Sequence, residues 1–420
     1  MSKDRTTVED RLAAEGGTPV RTAPLPGTSD ISGRRIDEQE IAAVTAVLRS
    51  GRLNSTVGTE TRAFEADFGA LYGVDHVVAS SSGTSALHLA VAAVDPSPGD
   101  EIILTGLSDA GSMLPILAQN AVPVFADLDP ATGLLDVASV AEKITDRTKA
   151  VLVVHLFGAA APVEELRSLC DEKGILLIED CAQAYLTTTP SGRLVGTVGH
   201  LGCFSLQQSK HITAGDGGLT ITNDPDLGRR ARLFMDKAWP RDTDERTHLF
   251  LGLNYRMTEL QAAVARVQLT KLQGVVDDRR RNANRFAETV NSLPGLSTVP
   301  TEGTSWWLFP IFLDPATAGG TAEEYAQLMR AEGIGAGPGY IVQPLYLNPV
   351  LTQARTYGDS GFPIADRASE YAPGLCPVTE DLISGGKMMV LQWNENYTEA
   401  DVDDHIAVLT KVHRHLAGRG

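Results

Sequence analysis

Through the first half of the chain, short apolar runs alternate with stretches whose apolar residues recur every three or four positions. The runs at residues 77–79, 102–104, 122–125, 150–155, 175–178, 203–206 and 219–222 predict strands, and the periodic stretches between them predict helices. Such alternation implies a mainly parallel sheet covered by helices, an α/β fold. Ahead of the first strand, Ile41, Val44, Val47 and Leu48 mark an amphipathic helix ending near Gly51, and Phe64, Phe68 and Leu71 mark another closed by Gly73. A long helical stretch from residue 257 to about 290 carries the chain away from this sheet. The segments 306–313 and 340–349 and a last helix over 399–416 suit a smaller α/β domain. Residues 1–30 are polar and rich in Pro, Gly and Thr, and predict a loosely held arm with little core. The expected organisation is therefore an arm (1–30), a large domain (31–275) and a small C-terminal domain (276–420), without repeats or low-complexity tracts.

Composition narrows the partners. At 420 residues and 43% hydrophobic content the chain can bury a large core, and 36 basic against 53 acidic residues leave a net charge of −17. That charge repels nucleic acid and anionic membranes. The start, Met1-Ser2-Lys3-Asp4-Arg5, lacks the apolar stretch of a signal peptide, and no apolar run approaches the roughly 18 residues of a membrane span, so the chain reads as cytoplasmic. Cys170, Cys181, Cys203 and Cys376 form no close pair, which indicates neither a disulfide framework nor a metal site.

Three segments carry candidate chemistry. Lys210 lies where the apolar run Phe204-Ser205-Leu206 breaks into a glycine-rich turn, Ala214-Gly215-Asp216-Gly217-Gly218. A lysine that forms a Schiff base needs a partly dry pocket to lower its pKa, whereas most lysines are solvated surface charges. Upstream, Ser80-Ser81-Ser82-Gly83-Thr84-Ser85 joins a strand to a helix. Such a turn presents N–H groups and hydroxyls at the positive helix end, as a phosphate seat or as an ordinary N-cap by Ser82 or Thr84. The run Ile175-Leu176-Leu177-Ile178 ends in Glu179-Asp180, at the strand end where open α/β sheets bind ligands. A phosphate turn, an aspartate and a lysine in this order are what pyridoxal 5'-phosphate (PLP) needs: Asp180 can keep the pyridine nitrogen protonated so that the ring withdraws electrons from the substrate carbon.

With Ser82-Gly83-Thr84-Ser85-Ala86-Leu87, Pro123-Val124-Phe125-Ala126-Asp127-Leu128-Asp129-Pro130, Ile178-Glu179-Asp180-Cys181-Ala182-Gln183-Ala184, the stretch from Phe204 to Gly218 and Gly252-Leu253-Asn254-Tyr255-Arg256-Met257-Thr258-Glu259-Leu260-Gln261-Ala262-Ala263, the chain resembles the DegT/DnrJ/EryC1/StrS family of PLP-dependent aminotransferases acting on keto sugars and keto cyclitols. The resemblance runs from about Gly33 to the C-terminal helix and implies a fold type I aminotransferase. It implies that Lys210 holds the cofactor covalently, that Asp180 pairs with the ring nitrogen and that Gln183 lies near the ring hydroxyl. Gly83, Thr84, Ser85 and Ser205 would form the phosphate site. Asn254, by itself readable as a turn residue, would reach the phosphate in a neighbouring subunit, so the resemblance implies a homodimer with shared active sites. One departure stands out: where the family carries a Thr–aromatic pair whose ring stacks on the cofactor, this chain has Ser108-Asp109. Either another side chain covers that face or Asp109 contacts cofactor or substrate by hydrogen bonding.

The resemblance further implies transfer of an amino group from L-glutamine or L-glutamate to a keto sugar or keto cyclitol, with a Ser-Leu-Gln-Gln-Ser-Lys segment similar to that of scyllo-inosose aminotransferases in aminoglycoside pathways. Lysine at 210 argues against the family's dehydratase branch, which carries histidine there. Gln343-Pro344-Leu345-Tyr346-Leu347-Asn348-Pro349 resembles the family's substrate loop, making Tyr346 a candidate substrate contact, and reads equally as a packed Pro-rich turn. A catalytically silent PLP- or sugar-binding regulator and a PLP lyase or decarboxylase on the same fold are the alternatives.

Overall fold

The computed structural model describes residues 11–418. Seven strands form the large sheet: β1 (His76–Ser80), β2 (Glu101–Thr105), β3 (Val122–Ala126), β4 (Thr148–Val154), β5 (Leu176–Asp180), β6 (Leu201–Ser205) and β7 (Gly218–Thr222). They lie in the order β1-β7-β6-β5-β4-β2-β3, and β7 alone runs antiparallel to its neighbours. Every expected strand is present, because each run is apolar on both faces and helices cover both sides of the sheet. The helices Glu38–Ser50 and Glu60–Tyr72 end at Gly51 and Gly73, both in the left-handed region (φ 68° and 67°) that a glycine adopts without strain.

A 34-residue helix, Glu259–Ser292, starts at a capping box between Thr258 and Gln261 and runs unbroken past the expected boundary at 275/276. Beyond it, β8 (Leu296–Ser297), β9 (Leu308–Leu313), β10 (Ala336–Pro338) and β11 (Met388–Gln392) form an antiparallel sheet in the order β10-β11-β9-β8, with the helix Glu399–Ala417 packed alongside. One continuous core, including Phe125, Phe157, Trp306, Phe309 and Trp393, joins the two sheets. Hence the small sheet is held rigidly beside the large one.

The first ten residues of the predicted arm lie outside the described residues. The remainder is tied down, contrary to expectation: Leu12 is buried, Glu332 accepts from the N–H groups of Ala13 and Val20, and Arg21 pairs with Asp401 and Asp404. A polar segment is anchored here through backbone donors and one arginine, which leave no hydrophobic periodicity to read.

Candidate active site

The C-terminal ends of the parallel strands β1, β2, β5 and β6 and the turns that follow them enclose a cavity of about 300 Å³. Strand alternation separates the two carboxylates at the end of β5. Glu179 points away from the cavity, where it accepts from the N–H groups of Gly196, Val198 and Gly199 and from His155 Nε2 at 2.9 Å. Because Ala161 N–H donates to His155 Nδ1, the ring proton resides on Nε2. Asp180 lines the cavity. Its Oδ1 accepts from Ala182 N–H (3.0 Å) and its Oδ2 from the Ser112 hydroxyl (2.8 Å), itself 2.8 Å from Ser108 Oγ. Burial pushes the Asp180 carboxyl above the usual carboxylate range, against these two donors and the Lys210 ammonium. A cationic ring nitrogen beside it adds the opposite charge that would keep it ionised.

The turn after β1 enters the helix Gly83–Val94 at Ser82, whose hydroxyl accepts from Ser85 N–H at 3.0 Å while Ser85 Oγ accepts from Ser82 N–H at 2.8 Å. Gly83 is demanded by contact: a Cβ there would sit 2.6 Å from Ser205 Cβ. Ser82, Gly83, Thr84 and Ser205 thus meet at the positive end of a twelve-residue helix, suited to a phosphate. Gly83→Ala should wedge β6 from this helix. At the roughly 1–3 kcal/mol typical of overpacking, we expect PLP to bind about 5- to 150-fold more weakly, measured by equilibrium dialysis.

Lys210 is 9% exposed. Its N–H donates to Gln207 O, its carbonyl accepts from buried Arg34 Nη1 at 2.6 Å, and its ammonium lies 3.8 Å from the centroid of the Trp307 ring. Burial lowers its pKa to about 8, with Asp180 and then Asp109 pulling the other way. Trp307 is fixed by an indole N–H donated to Ser209 O at 2.8 Å. It reaches the cavity because residues 305–307 lie directly on 157–158: Ser305 N–H donates to Gly158 O, and a Cβ on Gly158 would come within 2.6 Å of Trp306 N. Phe157 N–H donates to Gln183 Oε1 at 2.7 Å, and Gln183 Nε2 donates to the Tyr340 hydroxyl at 3.2 Å. The small domain thereby supplies one wall.

The cavity collects Gly83, Thr84, Asp109, Asp180, Gln183, Ser205 and Lys210 from the residues singled out in the sequence. Asp109 stands at its exposed edge, with Oδ1 accepting from Gly111 N–H at 2.8 Å and capping the short turn Ala110–Ser112. Three others lie elsewhere. The Ser85 hydroxyl is spent in the capping box, and Ser82 lines the cavity in its place. Asn254 bridges to Asp236, on a surface outside this chain's own cavity. Tyr346 is corrected: it is fully buried, edge-on to Phe125, and its hydroxyl donates to Glu380 at 2.6 Å. The packed-turn reading of that segment holds, because Leu345 N–H is taken by Gly106 O and leaves Tyr346 facing inward. Ser112, Trp307, Tyr340 and Arg34 escaped the sequence reading. Only Ser112, four residues beyond Ser108, offered a local signal.

Lys210, the Gly83 cradle and Asp180 fit a PLP: an amine to hold its aldehyde, a helix end for its phosphate and a carboxylate for its ring nitrogen. A profile of the DegT/DnrJ/EryC1/StrS aminotransferase family matches residues 34–384. The L-glutamine:2-deoxy-scyllo-inosose aminotransferase of Streptomyces kanamyceticus is 35% identical, with 97% of this chain and 98% of that protein covered. The spore coat polysaccharide biosynthesis protein SpsC of Bacillus subtilis is 32% identical over 79% of this chain and 87% of its own. Among solved structures, an aminotransferase from Psychrobacter cryohalolentis superposes with a TM-score of 0.82 at 26% identity, covering 94% of this chain and all of that one. TlmJ of Streptoalloteichus hindustanus gives 0.76 at 30% identity, over 91% and 97% of the two chains. A lysine beside a phosphate seat and an aspartate, on this fold and with these relatives, makes the chain a member of the DegT/DnrJ/EryC1/StrS family and a PLP-dependent aminotransferase.

Proposed function

We infer that the enzyme moves an amino group from L-glutamine to a free keto cyclitol of the scyllo-inosose type, in the biosynthesis of an aminocyclitol antibiotic. The observation that carries this reading is near full-length similarity to relatives named for that reaction. The cavity agrees: hydroxyls and amides of Ser82, Thr84, Ser108, Gln183, Ser205 and Gln207 line it, as a polyhydroxylated ring requires. PLP, when bound, supplies the electron sink for breaking the donor's Cα–H bond. The chain's own groups do the rest. Lys210 holds the cofactor, then, released as an amine whose pKa burial lowers, takes the donor's α-proton and returns it on the other side of the transfer. Asp180 anchors the ring nitrogen, while Gln183, fixed between Phe157 N–H and Tyr340, orients the face on which substrate lies. Convergence of intact Lys210 and Asp180 argues against a silent regulator. The test is loss of the absorbance band of the lysine-bound cofactor on adding L-glutamine, and its return with inososes but not with nucleotide-linked keto sugars. A return only with the latter would reject the cyclitol.

The homodimer belongs to this proposal. Asn254 sits outside its own cavity beside Leu249, Leu251 and Leu253, which are exposed (Leu251 by 83%), an apolar edge suited to a second copy. With Asn254 acting in trans and Lys210 in cis, mixing Asn254→Ala with Lys210→Ala chains places both lesions in one site of each heterodimer and leaves the other site intact. Activity should therefore return on subunit exchange; no recovery despite demonstrated exchange makes Asn254 a turn residue. Among the described residues no helix is long and apolar enough to cross a membrane. Four buried free thiols suit a cytoplasmic location.

A further inference from the structure

We propose that Asp109 sets the charge preference of the cavity, admitting the uncharged amide of L-glutamine and turning away the γ-carboxylate of L-glutamate. This rests on the aminotransferase reading above and adds the residue that chooses the donor. Among the described residues lining the cavity the charged side chains are Asp109, Asp180, Asp216 and Lys210, with no arginine or histidine. Lys210 is committed to the cofactor and to the Trp307 ring, Asp180 to Ser112 and Ala182, and PLP brings its own phosphate. A second carboxylate on the donor therefore meets no counter-charge from this chain.

Of the two exposed carboxylates in the lining, Asp109 and Asp216, Asp109 is the one that acts on the interior groups Lys210 and Tyr340. Its side chain is at the open edge of the cavity, held there by the bond from Gly111 N–H to Oδ1. Its field reaches the interior, since it raises the proton affinity of both Lys210 and Tyr340. L-glutamine and L-glutamate share the α-ammonium, the α-carboxylate and nearly the same shape, and differ by one charge, so the ratio of their rates isolates the repulsion. Specificity through a repulsive element requires no new contact to the preferred ligand. The rival role is the N-cap alone. Asn and Ser cap as Asp does, so Asp109→Asn and Asp109→Ser keep the turn and lose only the charge.

The test is the single-turnover rate of cofactor amination by each donor in the parent and both variants, at low and high salt. We expect the glutamine-to-glutamate preference to fall about tenfold in both variants through faster reaction of glutamate, and salt to shrink the preference in the parent alone. In cofactor-free protein, the pH midpoint for labelling of Lys210 by trinitrobenzenesulfonate should move down in Asp109→Asn, as the carboxylate that raises it is lost. An unchanged donor ratio, or a labelling midpoint that does not move, overturns the proposal. A parent that aminates its cofactor equally well from both donors overturns this proposal alone, whereas one that accepts an amino group from no donor overturns the functional reading beneath it.

Discussion

Lys210→Ala abolishes amino transfer and leaves the fold standing. Its ammonium rests on an aromatic face, and the backbone at 210 is held by Gln207 O and Arg34, so truncation removes no structural bond. The cost is in chemistry. Without the amine the cofactor is no longer held covalently, and among the described residues lining the cavity there is no second lysine and no histidine to move the proton. General acid–base catalysis by a placed group contributes about 10²–10⁴-fold, and loss of the covalent hold adds to it. We expect turnover to fall by at least about 10⁴-fold, with circular dichroism and the unfolding midpoint close to those of the parent. Multiple turnovers near the parental rate would reject the assignment. A buried cationic amine also gains by its loss, because burial disfavours the charged form; the apo-protein variant should be no less heat-stable below pH 8.

How legible this site was in the sequence follows from which residues sit in regular elements. Asp180 and Ser205 end apolar strands, and Gly83 and Thr84 begin a periodic helix, so pattern alone places them at one edge of the sheet. Lys210 follows the same logic one turn beyond β6. Trp307 and Tyr340 come instead from the small domain, Trp307 carried in by left-handed backbone at Phe157 and Trp306 (φ 61° and 56°) and by the tight approach to Gly158. Such conformations are strained for these residues and have no sequence signature. Tyr346 misled for the opposite reason: the likeness of its loop to the family's substrate loop suggested a substrate contact, yet burial and the Glu380 carboxylate claim its hydroxyl. Asn254 shows a third limit, since the contact proposed for it across a dimer cannot be placed from one chain. The described start of the arm, residues 11–21, was misjudged because backbone donors and Arg21 hold it, through Glu332 and Asp401, without hydrophobic pattern.

Asp180→Asn separates stability from function. The parental carboxyl is buried and its folded pKa lies above the ordinary 3.8, so the folded protein binds more protons than the unfolded chain between those values. By linkage, Asp180's contribution to stability is greatest below the unfolded pKa and is lost as pH rises through the folded one, so that burying this carboxyl costs stability at neutrality. An asparagine never charges; its Oδ1 can still accept from Ala182 N–H while its Nδ2 donates to Ser112 Oγ, whose own proton turns to Ser108 Oγ, and so it should match or exceed the parent's unfolding midpoint at pH 7 in the apo-protein. Catalysis should move the other way. A neutral amide cannot keep the ring nitrogen protonated, the electron sink weakens, and the first half-reaction should slow by about 10²–10⁴-fold. Lys210 reports the same change independently: Asp180 is the larger of the two charges raising its pKa, so its labelling midpoint should fall below about 8 in the variant. Single-turnover rates equal to the parent's would remove Asp180 from its role, and a lowered unfolding midpoint at neutral pH would show that the buried carboxylate stabilises this fold.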